Sequence, residues 1–241
     1  VDCAPDQCEG RYVTVAENIP SWFSKSLAVV PESKTIDVNG VAIHSLRWGT
    51  DTSKPGVIFV HGNGAHAHWW SFIAPFFLDH YRAIAIDLAG AGDSGASNGY
   101  TPEAFAAQIN AVADDAGFGA DTIIVGHSFG GYITLKTGLL YSQRLGGIVL
   151  VDSAVRPPDF QWERDPKSSP LKRKRIYPDF ESALARFRLM PPQGCENDYI
   201  LDYIGRHSIK QVDDGWTWKF DDTMFNKFEF GTDLHKDLAR L

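Results

Sequence analysis

The hexapeptide Gly126-His127-Ser128-Phe129-Gly130-Gly131 stands between a β-type run at 122–125 and a helical run from about Phe129 to Tyr141. A serine on a tight strand-to-helix turn is forced into a strained backbone conformation, and small residues two before and two after it prevent clashes. Its hydroxyl then projects above the sheet. The helix that follows aims its free N–H groups and the positive end of its dipole at the same spot, where they stabilise developing negative charge. That combination suits attack by Ser128 on a carbonyl. The bland alternative is a plain glycine-rich turn, and the flanking strand and helix argue against it.

A second cluster, His61-Gly62-Asn63-Gly64, follows directly on the β-type run 57–60. Its two glycines let the backbone approach a ligand closely and turn an amide inward. Acyl transfer needs two donors fixed where the oxyanion develops, each worth about 3 kcal/mol of barrier. The N–H groups of Asn63 and Phe129 are the candidates. Trp69 and Trp70, near the glycine turn, and His127, beside the serine, are candidate substrate contacts. A serine also needs a histidine to take its proton, held in turn by a carboxylate. After the turn only His207 and His235 occur, both in helical context, so each reads as a surface residue.

His61, His66 and His68 invite a metal reading, but zinc sites want a carboxylate or thiolate to complete them. His61 is explained by the turn, while His66 and His68 read as lining a pocket mouth or facing water. No metal and no cofactor is expected. Asp87 and Asp93 read as loop acids bracing a glycine turn. Lys172-Arg173-Lys174-Arg175 reads as a solvated basic face.

The elements that must position these groups follow from the pattern. Residues 1–34, with Pro5, Pro20 and Pro31, read as a lead-in arm. Two β-type runs joined by Asn39-Gly40 form a hairpin over 35–48. Short apolar runs at 57–60, 82–87, 122–125 and 147–152 then alternate with helical stretches, including an apolar aromatic segment near 66–78. In the helix near 102–116, Thr101 can cap, Pro102 suits the first turn, and Phe105, Ile109, Val112 and Ala116 share a face. Nearly all-apolar strands alternating with helices imply a doubly wound α/β fold with a mostly parallel sheet. The core is placed at 35–154. Residues 155–230 show helix-like pieces at 179–190 and 196–208, many aromatics and no convincing strand, and read as a helical cap. Residues 231–241 read as the start of a returning core helix, with Thr232 or Asp233 as its cap.

Composition narrows the class. With 241 residues, 44% hydrophobic and 22% charged, and no apolar run approaching a membrane span, a soluble globular protein is expected. A net charge of -7 argues against a nucleic-acid partner. Three cysteines, Cys3, Cys8 and Cys195, make no disulfide framework, so a reducing, cytoplasmic setting is the default. The first residues show no signal peptide. The partner expected is a small molecule, with no membrane, and the oligomeric state stays open.

Taken in order, the hairpin, His61-Gly62-Asn63-Gly64, the run Asp87-Leu88-Ala89-Gly90-Ala91-Gly92-Asp93-Ser94 and the Gly126–Gly131 turn resemble the α/β-hydrolase fold family over residues 35–152. The helical insertion at 155–230 sits where that family inserts a cap. The resemblance implies an esterase- or lactonase-like enzyme forming an acyl-enzyme on Ser128 without a cofactor. It leaves open a carbon–carbon bond hydrolase and a non-catalytic small-molecule receptor. Asp at the turn, as in dehalogenases and epoxide hydrolases, is absent. In dehalogenase-like branches the acid can follow the sixth strand, which makes Asp152 the candidate acid; an acid there can equally cap the next loop. The family's usual acid and histidine follow its seventh and eighth strands. This chain is expected to stop in the preceding helix, roughly 50 to 70 residues short, leaving a hydrophobic edge after the sixth strand.

Overall fold

Residues 19–153, 174–229, 236 and 238–241 are described by a computed structural model of the chain. Six strands form the main sheet: β1 (Glu32–Val38), β2 (Val41–Trp48), β3 (Gly56–Val60), β4 (Arg82–Ile86), β5 (Thr122–His127) and β6 (Leu145–Val151). Their order is β1-β2-β4-β3-β5-β6, antiparallel as far as β4 and parallel from there on. The hairpin turn is as expected. Asn39 and Gly40 both take positive φ (54° and 81°), which a two-residue turn matched to strand twist requires. The first strand begins at Glu32, three residues earlier than the pattern suggests.

Alternation along the central strands divides the core in two. Ile58, Val60, Ile84 and Ile86 join one cluster with Phe105, Ile109, Val112 and Ile133 from helices α2 (Pro102–Asp115) and α3 (Phe129–Tyr141). Val57, Phe59, Ala83 and Ala85 face the other way, against Trp48, Trp70 and Ala74. The α2 boundary follows its capping chemistry, since Thr101 Oγ1 accepts the Ala104 N–H at 3.0 Å. The aromatic segment near 66–78 is two 3-10 turns, Ala67–Trp70 and Ala74–Phe77, rather than one helix. Pro75, which lacks an N–H to donate, begins the second turn.

The arm and the insertion pack together. Helix α1 (Ser21–Leu27) buries Phe23 against Phe72, Phe187 and Ile204, so part of the expected lead-in arm is structural. The described part of the insertion holds α4 (Phe180–Leu184), α5 (Asp198–His207) and a hairpin of β7 (Ile209–Val212) and β8 (Gly215–Trp218). The expectation of no strand between 155 and 230 is therefore corrected. Gly215, at φ 138°, supplies a turn backbone that side-chain-bearing residues rarely adopt.

The end of that insertion is corrected as well. From Phe220 the chain is back in the core: Asp221 N–H donates to Gly90 O at 2.7 Å, and Met224, Phe225 and Phe228 belong to the main cluster. Helix α6 (Met224–Lys227) lies in this stretch. Near the C-terminus, Leu241 lies where a Cβ on Gly138 of α3 would reach it, at 3.1 Å. Thr232 and Asp233 fall outside the described residues. Among the described residues no helix is long and apolar enough to cross a membrane.

Candidate active site

Ser128 links β5 directly to α3 with φ 51° and ψ −118°, a sparsely populated region for a residue with a side chain. Neighbours hold it there. Its N–H donates to Val151 O at 2.9 Å, while its carbonyl accepts from Gly131 N–H and Ser153 Oγ, each at 2.9 Å. The flanking glycines are sterically required. A Cβ on Gly126 would come within 2.5 Å of Gly130 O, and one on Gly130 would strike the carbonyl oxygens of His61 and Val60, the latter at 2.6 Å.

The loop after β3 is laid against this turn. A Cβ on Gly62 would lie 3.3 Å from Ser128 Cβ and 3.0 Å from His127 Nδ1. The N–H groups of Asn63 and Phe129 donate to no backbone carbonyl among the described residues, as expected of a loop and a first helical residue. His61 ties this loop to the one after β4: Nδ1–H donates to Gly62 O at 2.7 Å, and Nε2 accepts Leu88 N–H at 3.1 Å. Those partners fix a neutral tautomer, and burial pushes its pKa down. Its role is architectural.

A cavity of about 310 Å³ reaches the turn at His127, the residue before Ser128, and at Gly62 of the facing loop. Trp69, Trp70 and His127 all line it, together with Val151 and, from the insertion, Leu189, Ile200, Leu201 and Ile204. His127 and Trp69 stack with ring centroids 6.5 Å apart. Cys195, free and half-buried, also borders the cavity. Among the described residues the lining carries no lysine, arginine or carboxylate, so the space suits a neutral, apolar group. The aliphatic face of α5 was missed, although Ile200, Leu201 and Ile204 carry the helical spacing that signals a buried stripe.

Asp152 follows β6 beside the turn, exposed and at φ 46°, one residue after the carbonyl that holds Ser128. Ser128 Oγ has no hydrogen-bond partner among the described residues, histidines included. His235 lies outside them, as do Cys3, Cys8, Lys172 and Arg173. Three histidine expectations are corrected. His66 is 2% exposed and does not face water, and His68 is half-buried, because Ser208 and Tyr203 of the insertion pack on them. His207 is no surface residue; its ring lies 3.9 Å from that of His68.

Asp87 braces the loops as expected. It is buried, accepts N–H bonds from Ala67 (2.6 Å) and Asp93 (2.9 Å), and pairs with His44 Nδ1 at 2.7 Å. These bonds hold its carboxyl below the usual range despite burial. His44, Asp87 and Asp93 together have cation-holding spacing. However, His44 spends its second nitrogen on Ser33 at 2.9 Å, and Asp93 pairs with Lys219 at 2.7 Å, so hydrogen bonds already use these groups.

A strained residue at a strand-to-helix turn, backed by glycines and set beside an apolar cavity, is the architecture of an α/β-hydrolase fold. Residues 57–241 match the model of the alpha/beta hydrolase family, and the chain belongs to that family. It is 28% identical to an esterase of Mycobacterium tuberculosis over 199 residues, covering 80% of this chain and 64% of that protein. Over 102 residues it is 32% identical to the 2-hydroxy-6-oxo-6-(2'-aminophenyl)hexa-2,4-dienoic acid hydrolase of Metapseudomonas resinovorans, 41% of this chain and 35% of that one. The chain thus spans less than two thirds of either relative. Among solved structures, an alpha/beta hydrolase from Novosphingobium aromaticivorans shares the fold with a TM-score of 0.67 at 19% identity, covering 87% of this chain and 78% of that one.

Proposed function

We propose that this chain carries the nucleophile of a serine hydrolase that cleaves an ester or lactone bond in a largely apolar small molecule. Ser128 Oγ attacks the carbonyl carbon and gives its proton to a histidine; the Asn63 and Phe129 N–H groups hold the oxyanion. Collapse expels the alcohol, which takes that proton back, and water then hydrolyses the acyl-enzyme. The insertion acts as a cap, and the cavity it closes receives the apolar part of the substrate. Asp152 remains the candidate acid. The base lies outside the described residues: His235 in this chain, or a histidine of the whole protein where that is longer.

The observation that carries this reading is the strained Ser128 backbone, whose neighbours His127 and Gly62 line the 310 Å³ cavity. The 28% identity to an esterase agrees with it. Cleavage of a carbon–carbon bond is the second reading, favoured by the 32% match to a dienoic acid hydrolase. Against it, a carboxylate in the cavity would find no cation among the described lining residues.

A fluorophosphonate probe tests the proposal. Rapid labelling is expected at Ser128 and is lost in Ser128→Ala, with turnover of short p-nitrophenyl esters following the same pattern. Slow labelling combined with tight binding of apolar ligands would replace the enzyme with a small-molecule receptor.

A further inference from the structure

The insertion meets the core through a run of histidines. His66 Nε2 lies 2.8 Å from Ser208 Oγ, His68 Nδ1 lies 3.1 Å from the Tyr203 hydroxyl, and the His68 and His207 ring centroids lie 3.9 Å apart with the planes tilted by 35°. Each contact joins the loop after β3 to α5 or the residue that ends it. The same two elements form facing walls of the cavity, Trp69 and Trp70 on one side and Ile200, Leu201 and Ile204 on the other. Parting this seam opens the cavity.

We propose that His66, His68 and His207 form a proton-sensitive clasp that positions α5 over the cavity and releases it on acidification. The seam has no room for added charge. Ser208 Oγ donates its one hydrogen to Ile204 O at 2.7 Å, so it accepts from His66 Nε2–H; His66 Nδ1 is then a buried acceptor with no partner. A second proton there would meet no acceptor. His207 Nδ1–H is committed to Tyr203 O at 2.8 Å, and cations on this ring and that of His68 would repel at contact distance.

The surrounding charges do not rescue a cation. From β4, Asp87 faces His66 and His68, but its oxygens are already taken by Ala67, Asp93 and His44. Lys219 opposes charge on His68 and His207, and Asp93, which favours charge on His207, is already engaged by Lys219 at 2.7 Å. Burial accordingly holds His66 and His68 down at about 3 and pushes His207 down too.

The sign follows from linkage. A histidine depressed in the closed state stabilises closure above its ordinary value near 6.5 and withdraws that support as pH falls below it. Each histidine that gains a proton on opening raises the open population by up to ~10-fold per pH unit, so two give up to ~100-fold. The clasp does not depend on what chemistry Ser128 performs.

Hydrogen–deuterium exchange of residues 198–208, corrected for intrinsic rates and referenced to α2, reads it directly. Between about pH 7.5 and pH 5.5, protection of α5 is expected to fall at least ~10-fold while α2 is unchanged. The double variant His66→Gln, His68→Asn keeps polar atoms toward Ser208 and Tyr203 and leaves His207 as the one titrating member of the clasp, so the fall of its α5 protection with pH is expected to be smaller than the parent's. Parallel behaviour of α5 and α2 in the parent overturns the clasp, as does an unchanged pH dependence in the double variant. If that variant does not fold, Ser208→Ala and Tyr203→Phe serve: each should raise α5 exchange at pH 7.5, and parent-like exchange in both overturns the proposal.

Discussion

At one border of the sheet, β1 carries Glu32, Ser33, Lys34, Thr35 and Asp37; at the other, β6 reads Leu-Gly-Gly-Ile-Val-Leu-Val, without an ionisable side chain. Charge on an outer strand blocks edge-to-edge pairing with other chains, and Lys34 is further anchored to Asp115 at 2.7 Å. β6 has the composition of a strand covered on both sides, yet Val149 is 46% and Val151 40% exposed. The expected hydrophobic edge after the sixth strand is thus seen among the described residues. One border is built as a border, and the other is built as interior. The contrast matters because β6 flanks β5, and its last carbonyl holds the Ser128 backbone, so the candidate site stands next to the unguarded side.

Two glycines sharpen the contrast most strongly. Gly130 lies where the loops after β3 and β5 meet, and its added Cβ would strike backbone oxygens that cannot step aside. Gly130→Ala is expected to cost about 3 kcal/mol and to abolish fluorophosphonate labelling. On β6, a Cβ at Gly147 meets nothing within 4 Å. Gly147→Ala is expected to be neutral or to stabilise by up to about 1 kcal/mol, because it restricts the unfolded chain without a clash. Thermal or urea unfolding of both variants measures the difference; equal losses would break the contrast.

Association comes next in size. An all-apolar outer strand is a template for pairing. The 241-residue chain is therefore expected to self-associate with rising concentration in size-exclusion chromatography with light scattering. Val149→Lys should return it toward monomer while changing stability by no more than about 0.5 kcal/mol. Thr35→Lys on β1 should leave association unaltered. A parent chain that stays monomeric at high concentration would show that this edge is protected by some other means.

The same contrast marks what the sequence could tell. Apolar runs at 57–60 and 122–125 and the glycines around Ser128 are local patterns, and β3, β5 and the turn lie where those patterns put them. Turn chemistry is equally legible at Asn39-Gly40, but Asp213-Asp214 between β7 and β8, followed by Gly215, lacks the Asn-Gly signature and lies inside a proline- and glycine-rich stretch. What could not be read was pairing at a distance. His66 meets Ser208 across 142 positions and His68 meets Tyr203 across 135, and no periodicity encodes such partners. Phe220 to Phe228 looked like insertion aromatics for the same reason. Contacts across the fold return them to the core, among them the packing of Phe228 against Phe129 with centroids 5.5 Å apart.

The smallest effect belongs to the guarded border itself. Asp115, at the end of α2, takes Lys34 Nζ at 2.7 Å and Arg47 Nη1 at 2.6 Å, and these bonds hold its carboxyl below the usual value. A depressed carboxyl stabilises the fold above its ordinary pKa near 3.9 and loses that support as pH falls through its lowered value. The group is partly solvent-exposed, so screening keeps the contribution small. Asp115→Asn is expected to cost less than about 1 kcal/mol near pH 7 and almost nothing at very low pH, with added salt shrinking the difference. Urea titrations at two pH values measure it. A loss of several kcal/mol, insensitive to salt, would mean that β1 is held by a buried ionic lock rather than kept apart from other chains by surface charge.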